Sequence, residues 1–364
     1  MHCKSEKIKK SATRPFMVSV CVTTFQHERF IKDALKGIFA QKTNFIFELL
    51  LFDDASFDNT QSIIREVCKE LPNNIVPRLF LQTHNLWSKG ISGSRTCSYP
   101  AVQGKYVALC EGDDYWTDPL KLQKQVDFLE THPECSMCMH PGRILYESAP
   151  SSSNEIYPPP KFHKMFCRKH YVPLEIMLRW NPATTASVMY RWKYYGDEFT
   201  EVFPENILPS DWFMHLLHAK DGKIGYLPDT MSVYRKHAGG MFSSLENKDA
   251  EHFKKYKELE LAFYKAVFHL FKGSPQETAL WEESYQHFLN RMVRCFLQSN
   301  DIESFLWFWN QFPDKLERRL ELNYFKSKPN CLWERIGRII ARIGLKEEGF
   351  RKTIHRLLYK EYLP

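Results

Sequence analysis

The segment Lys105–Pro119, KYVALCEGDDYWTDP, constrains the fold of this chain more than any other part of it. It begins with a short apolar run rich in β-formers, which predicts a buried strand. Three acidic residues, Glu111, Asp113 and Asp114, follow within four positions, with Gly112 between them. A stretch with helical periodicity comes next. We therefore expect the acids at the carboxyl end of a core strand, just before a helix.

Carboxylates so close together at the end of a buried strand repel one another. A divalent cation bound to a phosphate group is a common way to offset that repulsion. The alternative is an acidic turn that caps the following helix, and an isolated Asp-Asp pair would favour it. Because an apolar strand precedes these acids and Tyr-Trp follows them, the pattern favours a binding site.

Two earlier strands are predicted to end in polar residues in the same way. Residues 17–25 and 47–52 are apolar runs, each followed by a stretch with helical spacing. Such alternation indicates a parallel sheet covered by helices, in which ligands bind at the carboxyl ends of the strands. A single site would explain all three polar clusters, which are Thr23 to Gln26, Asp53-Asp54 and Glu111 to Asp114.

Composition indicates a globular protein without an obvious membrane span. The 364 residues allow one large domain or two smaller ones, and 43% of them are hydrophobic. A net charge of +7 suits a phosphorylated substrate or an anionic lipid surface as well as nucleic acid, so it does not choose among them. No apolar run is long enough for export or for crossing a bilayer. We therefore expect a protein of the cytosol, or one on the inner face of the membrane.

The ten cysteines are expected to be reduced and mostly buried. Cys21, Cys68, Cys110 and Cys295 fall in predicted strands or helices. Cys135 and Cys138 form a lone C-x-x-C without a second pair at zinc spacing, and no redox motif surrounds it. We interpret this pair as core cysteines.

Three regions are predicted along the chain. Residues 1–15 form a basic, disordered lead-in, residues 16–247 the sheet-containing domain, and residues 248–364 a helical extension. The Ser- and Pro-rich stretch at about 147–161 predicts a mobile loop. In the extension, residues 332–345 place apolar side chains on one helical face with arginines at its flanks. Such a helix either lies in an anionic membrane interface or packs on the preceding helices.

Three segments carry a resemblance to a known family. VSVCVTTFQHERFI, LLFDDASFDNT and YVALCEGDDYWTDPLKLQKQ, in that order, resemble the family 2 glycosyltransferases over about residues 16–242, including SDW at 210–212 and VYRKHAGG at 233–240. The resemblance implies the GT-A nucleotide-diphospho-sugar transferase fold, an α/β architecture with a Rossmann-like mixed sheet and flanking helices. It also implies transfer of a sugar from a nucleotide-sugar with inversion of configuration. The all-helical region after residue 248 is not covered.

The resemblance assigns the donor site residue by residue. Thr23, Thr24 and Phe25 match the wall against the nucleobase and ribose, with Glu28 as a further contact. Asp53, with Asp54, matches the acid that accepts a hydrogen bond from the base, which selects uracil- or thymine-like edges. Arg95 matches the basic residue beside the diphosphate. The acidic signature of the family matches Glu111-Gly112-Asp113, with Glu111 toward the ribose or the metal waters, and Asp114 lies beside the donor sugar.

The resemblance also implies a metal and a base. Asp113 is the expected ligand of Mn²⁺ or Mg²⁺, with His237 as a second ligand. Asp211 matches the general base that takes a proton from the acceptor hydroxyl. Other roles remain open: Asp211 as a helix N-terminal residue, His237 as a structural histidine, and Arg95 paired with a surface acid.

Two other functions share this architecture. A nucleotidyltransferase would carry a Gly-rich loop after the first strand, where this chain has TTFQHERF. A binding module without catalysis would not need the acids at 111–114 and Asp211. The expected partners are therefore a nucleotide-sugar donor of the UDP or dTDP type and a glycan or lipid-linked acceptor in bacterial surface polysaccharide synthesis, with an anionic membrane surface contacted through residues 332–345 and no nucleic acid.

Overall fold

The apolar runs predicted as strands form the parallel half of an eight-stranded sheet. A computed structural model of the protein describes residues 15–148, 155–240, 250–282 and 284–285. Strands β1 Phe16–Thr24, β2 Phe47–Asp53, β3 Ile75–Leu81 and β4 Gly104–Glu111 run parallel, in the order β3-β2-β1-β4. All seven residues of β2 are buried, as expected for a strand covered on both faces.

The other half of this sheet is mixed. Strand β6 Cys135–Met139 and strand β11 Lys223–Tyr226 are parallel to each other, whereas β10 Met189–Arg191 and β9 Tyr171–Val172 are antiparallel to their neighbours. The order continues from β4 as β10-β6-β11-β9. The predicted mixed sheet is therefore confirmed.

Helices cover the sheet through apolar stripes. In α1, Ile31–Phe39, the buried residues Ile31, Ala34, Leu35 and Ile38 recur at the spacing of one helical face. The remaining helices are α2 Thr60–Val67, α3 Lys121–Thr131, α4 Pro160–Lys169, α5 Leu174–Arg179, α6 Glu198–Val202, α7 Ser210–Ala219 and α8 Ala250–Phe271.

A smaller four-stranded sheet brings distant parts of the chain to the acidic segment. Its strands are β5 Tyr115–Trp116, β12 Ser232–Lys236, β7 Gly142–Tyr146 and β8 Glu155–Tyr157, in that order. Strand β12 pairs with β5 directly after the acids, with Val233 opposite Tyr115. This pairing places the residues that follow β12 beside those that precede β5.

Several local predictions differ from the structure. Residues 155–157 form β8 and Pro160 begins α4, so the predicted loop is shorter than 147–161; residues 149–154 lie outside the described residues. Residues 183–190, whose composition predicts a strand, instead form a 3₁₀ turn at Thr185–Ser187, followed by β10. Cys135 and Cys138 are buried, as predicted, but Cys68 is half-buried.

The predicted extension falls mostly outside the described residues, as do the amphipathic segment 332–345, Cys295 and the lead-in up to residue 14. The chain divides into two compact units, the first ending at Glu277 and the second beginning at Thr278. Helix α8 belongs to the first unit, and the predicted boundary after residue 247 stays a prediction. Within the described ranges, no helix has both the length and the apolar character needed to cross a membrane.

Candidate active site

The acids form a tight turn between β4 and β5. Glu111 is the last residue of β4, and the Gly112 N–H donates to the Thr23 carbonyl oxygen at 2.8 Å. A Cβ atom at Gly112 would lie 2.5 Å from Thr24 Oγ1 and 2.9 Å from His27 Nδ1. Glycine is therefore required for the turn to approach the end of β1 so closely.

Two histidines converge on Asp113. His237 Nε2 lies 3.1 Å from Asp113 Oδ2, and His27 Nε2 lies 3.7 Å from the same oxygen. One ligand atom from each of the three residues lies within 4.8 Å of the others. His27 was not among the predicted site residues, although its position after β1, at the same sheet edge as the acids, indicates that it could reach them.

The donor set fits a divalent cation. Asp113 Oδ1 is buried without a hydrogen-bond partner among the described residues, which is costly for a carboxylate unless a cation or water reaches it. Burial alone would raise the pKa of Asp113, but the hydrogen bond to His237 and the charges of both imidazoles outweigh it, so the pKa is lowered. Burial lowers the pKa of His27, which favours the neutral imidazole that metals bind.

Asp114 has a different environment from its neighbour. It is fully buried, and its Oδ1 accepts a hydrogen bond from the Arg235 N–H of β12 at 2.9 Å. Burial, together with the charges of Asp113 and Glu111, raises the pKa of Asp114 well above its ordinary value. This carboxyl group therefore joins the acidic turn to β12, and its place beside the donor sugar stays a prediction.

Asp211 lies in the first turn of α7, where its carboxylate accepts hydrogen bonds from Asn181 and Thr185. Burial raises the pKa of Asp211, although hydrogen bonds from Thr185, Asn181 and the Trp212 backbone oppose the shift. Burial also raises the pKa of Glu111 to about 8, and the charges of Asp113 and Asp211 contribute to that rise. The fold thus brings Asp211 into the same electrostatic environment as acids about one hundred positions earlier.

The predicted base-binding acids are largely engaged by the chain itself. Asp53 Oδ1 accepts hydrogen bonds from the Ser56 N–H at 3.0 Å and from Gln61 Nε2 at 2.6 Å, and its Oδ2 accepts one from Ser56 Oγ at 2.5 Å. Asp54 accepts bonds from the N–H groups of Leu86 and Trp87 at 2.7 and 3.1 Å. Asp54 thereby fixes the loop after β3.

The remaining residues around β1 lie at the same edge. Thr24 is buried with Oγ1 unpartnered among the described residues, whereas Phe25 is 38% exposed and packs edge-on against the more exposed Phe57. Glu28 Oε2 accepts hydrogen bonds from the backbone and side-chain nitrogens of Asn59 at 3.0 and 2.9 Å. Glu28 therefore ties the loop after β1 to the start of α2.

Arg95 departs most from its predicted role. Its guanidinium donates to the Phe203 carbonyl oxygen at 2.9 Å and the Thr200 carbonyl oxygen at 2.5 Å, and it pairs with Glu205 at 2.9 Å. These acceptors lie in α6 and just beyond it, where a cation interacts favourably with the helix end. The geometry favours the alternative of a structural ion pair over the predicted contact with a diphosphate.

A family model and several known proteins match this chain. The family model described as glycosyl transferase family 2 matches residues 19–238, more than half of the chain. An uncharacterized protein of Mycobacterium tuberculosis is 39% identical over 227 residues, which cover 62% of this chain and 61% of the relative. The chain thus spans about three fifths of the length of that relative.

Two further comparisons are more distant. An Escherichia coli protein named UDP-Glc:alpha-D-GlcNAc-diphosphoundecaprenol beta-1,3-glucosyltransferase WfaP is 29% identical over 115 residues, 32% of this chain and 42% of its own. The structure of Staphylococcus aureus TarS 1-349 in complex with UDP-GlcNAc has a TM-score of 0.60 at 18% identity, covering 95% of this chain and 93% of that one. This likeness confirms the predicted GT-A fold. Because the family model spans both the acidic turn and Asp211, the chain belongs to glycosyl transferase family 2.

Proposed function

We propose that this protein is an inverting glycosyltransferase that moves a sugar from a nucleoside diphosphate sugar to a hydroxyl group of a glycan or lipid-linked acceptor. One observation carries the proposal: Asp211 accepts a hydrogen bond from Thr185, and the carbonyl group of the adjoining Ala186 accepts one from Trp116 of β5, directly after the acidic turn that supplies Asp113 to the cluster with His27 and His237. A base and a candidate cation site therefore share one edge of the sheet. That is the arrangement needed to activate a hydroxyl beside a leaving diphosphate.

The proposed reaction is a single displacement. The acceptor oxygen forms a bond to the anomeric carbon while its proton passes to the Asp211 carboxylate. The bond from the anomeric carbon to the diphosphate oxygen breaks, and its electron pair leaves with the nucleoside diphosphate. Attack from the face opposite the leaving group inverts the configuration.

A divalent cation bound at the cluster would offset charge on the leaving diphosphate. His27, Asp113 and His237 would hold it. A set containing two imidazole nitrogens suits Mn²⁺ better than Mg²⁺, which takes oxygen ligands. We therefore narrow the sequence expectation of Mn²⁺ or Mg²⁺ to Mn²⁺.

A uridine or thymidine diphosphate sugar is the proposed donor. The name of the Escherichia coli relative includes UDP-Glc, and TarS binds UDP-GlcNAc, which supports this choice. A carboxylate offers about four acceptor sites, and the chain uses three on Asp53, so one remains for a ring N–H of the base. Recognition by Asp53, and by Thr23, Thr24 and Phe25, stays a prediction.

The proposed acceptor belongs to bacterial surface polysaccharide synthesis. The Escherichia coli relative is named for a lipid-linked acceptor, and a Bacillus subtilis relative is named as a teichuronic acid biosynthesis glycosyltransferase. A site on the inner face of the membrane would suit an acceptor of this kind. Contact with that face through residues 332–345 stays a prediction, since these residues lie outside the described ranges.

Thermal unfolding with a panel of nucleotide-sugars tests the proposal. UDP-glucose, UDP-N-acetylglucosamine, dTDP-glucose and GDP-mannose are each added with Mn²⁺ or with EDTA. We expect a uridine or thymidine sugar to raise the melting temperature only with Mn²⁺, because a ligand of the folded state stabilises it. We also expect slow release of the nucleoside diphosphate, with water as acceptor.

The other functions give different outcomes in the same assay. An inactive binding module would be stabilised without releasing the nucleoside diphosphate. A nucleotidyltransferase would release pyrophosphate from a nucleoside triphosphate and a sugar phosphate. Protection that persists in EDTA would contradict the proposed cation.

A further inference from the structure

Two neutral side chains hold the same oxygen of Asp211. Asn181 Nδ2 and Thr185 Oγ1 each lie 3.3 Å from Asp211 Oδ2. Both come from the short segment between α5 and β10, whereas Asp211 is on α7. Because both donors reach Oδ2, they restrict rotation of the carboxyl group, which also accepts hydrogen bonds from the backbone N–H groups of Trp212 and of Asp211 itself.

Asn181 is itself fixed before it reaches Asp211. Its Oδ1 accepts a hydrogen bond from the Ala183 N–H at 3.0 Å, and its backbone carbonyl accepts one from the Tyr157 hydroxyl. Because the Ala183 N–H donates to Oδ1, the side-chain amide of Asn181 is oriented with its oxygen toward the backbone. The NH₂ end must then face Asp211, so the donor is oriented in advance.

The charged and titratable surroundings make these donors important. Among the described residues, the charge of Asp211 raises the pKa of one acid and four phenols. They are Glu111 on β4, Tyr99 on the turn before β4, Tyr157 on β8, Tyr190 on β10 and Tyr234 on β12. Neutral donors that favour the ionised carboxylate therefore oppose the effect of burial.

We propose that Asn181 and Thr185 are positioning residues that orient the Asp211 carboxylate and favour its ionised form, so that it can accept the proton of the acceptor hydroxyl. This inference rests on the proposed role of Asp211 as the base. Neither residue touches the reacting atoms. They act through Asp211, and their effect on its titration separates this role from general support of the fold.

The test measures the titration of Asp211 directly. Protein labelled with ¹³C at the aspartate side-chain carboxyl group is titrated by NMR, and the Asp211 signal is identified by its loss in Asp211→Asn. We expect Asn181→Ala to move the midpoint to higher pH by about one unit, since a donor to a charged group is lost. Thr185→Val should move it in the same direction by a smaller amount.

Thr184→Val is the matched control. Thr184 is the neighbouring threonine, and its buried hydroxyl has no hydrogen-bond partner among the described residues. The same isosteric change there should leave the midpoint unchanged. Equal midpoints in wild type and Asn181→Ala, or an equal shift in Thr184→Val, would overturn the inference.

A kinetic measurement separates this inference from the proposed function. Hydrolysis of UDP-glucose or UDP-N-acetylglucosamine with Mn²⁺ is followed against pH for wild type, Asn181→Ala and Thr184→Val. The acid limb of the pH profile of kcat should move to higher pH in Asn181→Ala alone. A structural defect would instead lower kcat equally at every pH. If the wild type is inactive but Asn181→Ala still shifts the NMR midpoint of Asp211, the proposed function is contradicted, whereas the role of Asn181 in positioning the carboxylate is supported.

Discussion

At the scale of single residues, the site depends on a contrast between adjacent carboxyl groups. Asp113 points toward two imidazoles, whereas Asp114 is buried against the backbone of β12. The pKa of Asp113 is lowered and that of Asp114 is raised, because the first has partners that favour its charge and the second is dominated by burial. Two chemically identical side chains thus have opposite environments, one in the candidate cation cluster and the other between the acidic turn and β12.

The first prediction concerns the cation. Asp113→Asn keeps the shape of the side chain but removes the charge, so Mn²⁺-dependent binding of UDP should weaken at least about 10-fold without loss of fold. His27→Gln should weaken it in the same direction, and isothermal titration calorimetry measures both. Asp127→Asn, at an exposed position on α3, is the control. Wild-type affinity and Mn²⁺ dependence in Asp113→Asn would contradict the assignment.

The second prediction concerns the base. Asp211→Asn should leave UDP binding nearly unchanged and lower turnover of the nucleotide-sugar by at least ~10²-fold, the scale for a positioned general base. Turnover is followed as release of UDP, and binding is measured on the same samples. Turnover at the wild-type rate would exclude Asp211 as the base.

At the scale of elements, Arg235 joins strand β12 to the acidic turn and to helix α1. Its Nη1 donates to the Asp113 carbonyl oxygen at 3.0 Å, and its Nη2 pairs with Asp33 of α1 at 3.2 Å. The guanidinium also lies 4.7 Å from the ring centre of Phe30 and 5.0 Å from that of Tyr115. Strand β12, helix α1 and the turn are therefore coupled through one side chain.

The third prediction follows from this coupling. Arg235→Met should lower the free energy of unfolding by about 2 kcal/mol, because a buried donor and its ring contacts are lost together. Mn²⁺ affinity should fall as well, since the turn that carries Asp113 is released. Urea denaturation and calorimetry measure the two effects. Arg143→Met, at an exposed position on the adjacent β7, should change neither; equal losses in both variants would contradict a specific role of Arg235.

At the scale of the whole molecule, buried neutral histidines link stability to pH. His215 and His218 on α7 are fully buried, and burial lowers the pKa of each to about 3. The ordinary pKa of histidine is 6.5, so the unfolded chain binds more protons than the folded one between these values. The stabilisation is present above pH 6.5 and is lost as the pH falls toward 3.

The fourth prediction is the size and origin of this loss. Each histidine should lower the free energy of unfolding by up to about 1.4 kcal/mol per pH unit below pH 6.5. Urea denaturation at several pH values measures the slope. His218→Leu should reduce the slope, whereas His84→Leu, at an exposed position, should leave it unchanged. A slope that His218→Leu does not alter would contradict this origin.

Local periodicity determined most of the fold by itself. Strands β1, β2 and β4 consist of apolar runs because strands covered on both faces must exclude water. The sequence therefore predicts their positions without knowledge of the neighbouring strands. The same logic predicted polar residues at the carboxyl ends of these strands. The 3₁₀ turn Thr185–Ser187 lies in a run that predicts a strand, because a short apolar run does not by itself distinguish a strand from a helical turn.

Side-chain partners were decided only by tertiary structure, since they depend on which elements meet. His27 lies beside Asp113 because the first strand and the acidic turn share one edge of the sheet. The sequence alone does not determine the distance between a loop residue such as His27 and the acidic turn. Arg95 turned toward α6 because carbonyl groups of that helix lie within its reach. Asn181 came to Asp211 because α5 packs beside α7. Sequence therefore determined where charged groups end the strands, and packing of distant segments decided which of them interact, because a long-range contact leaves no local periodicity.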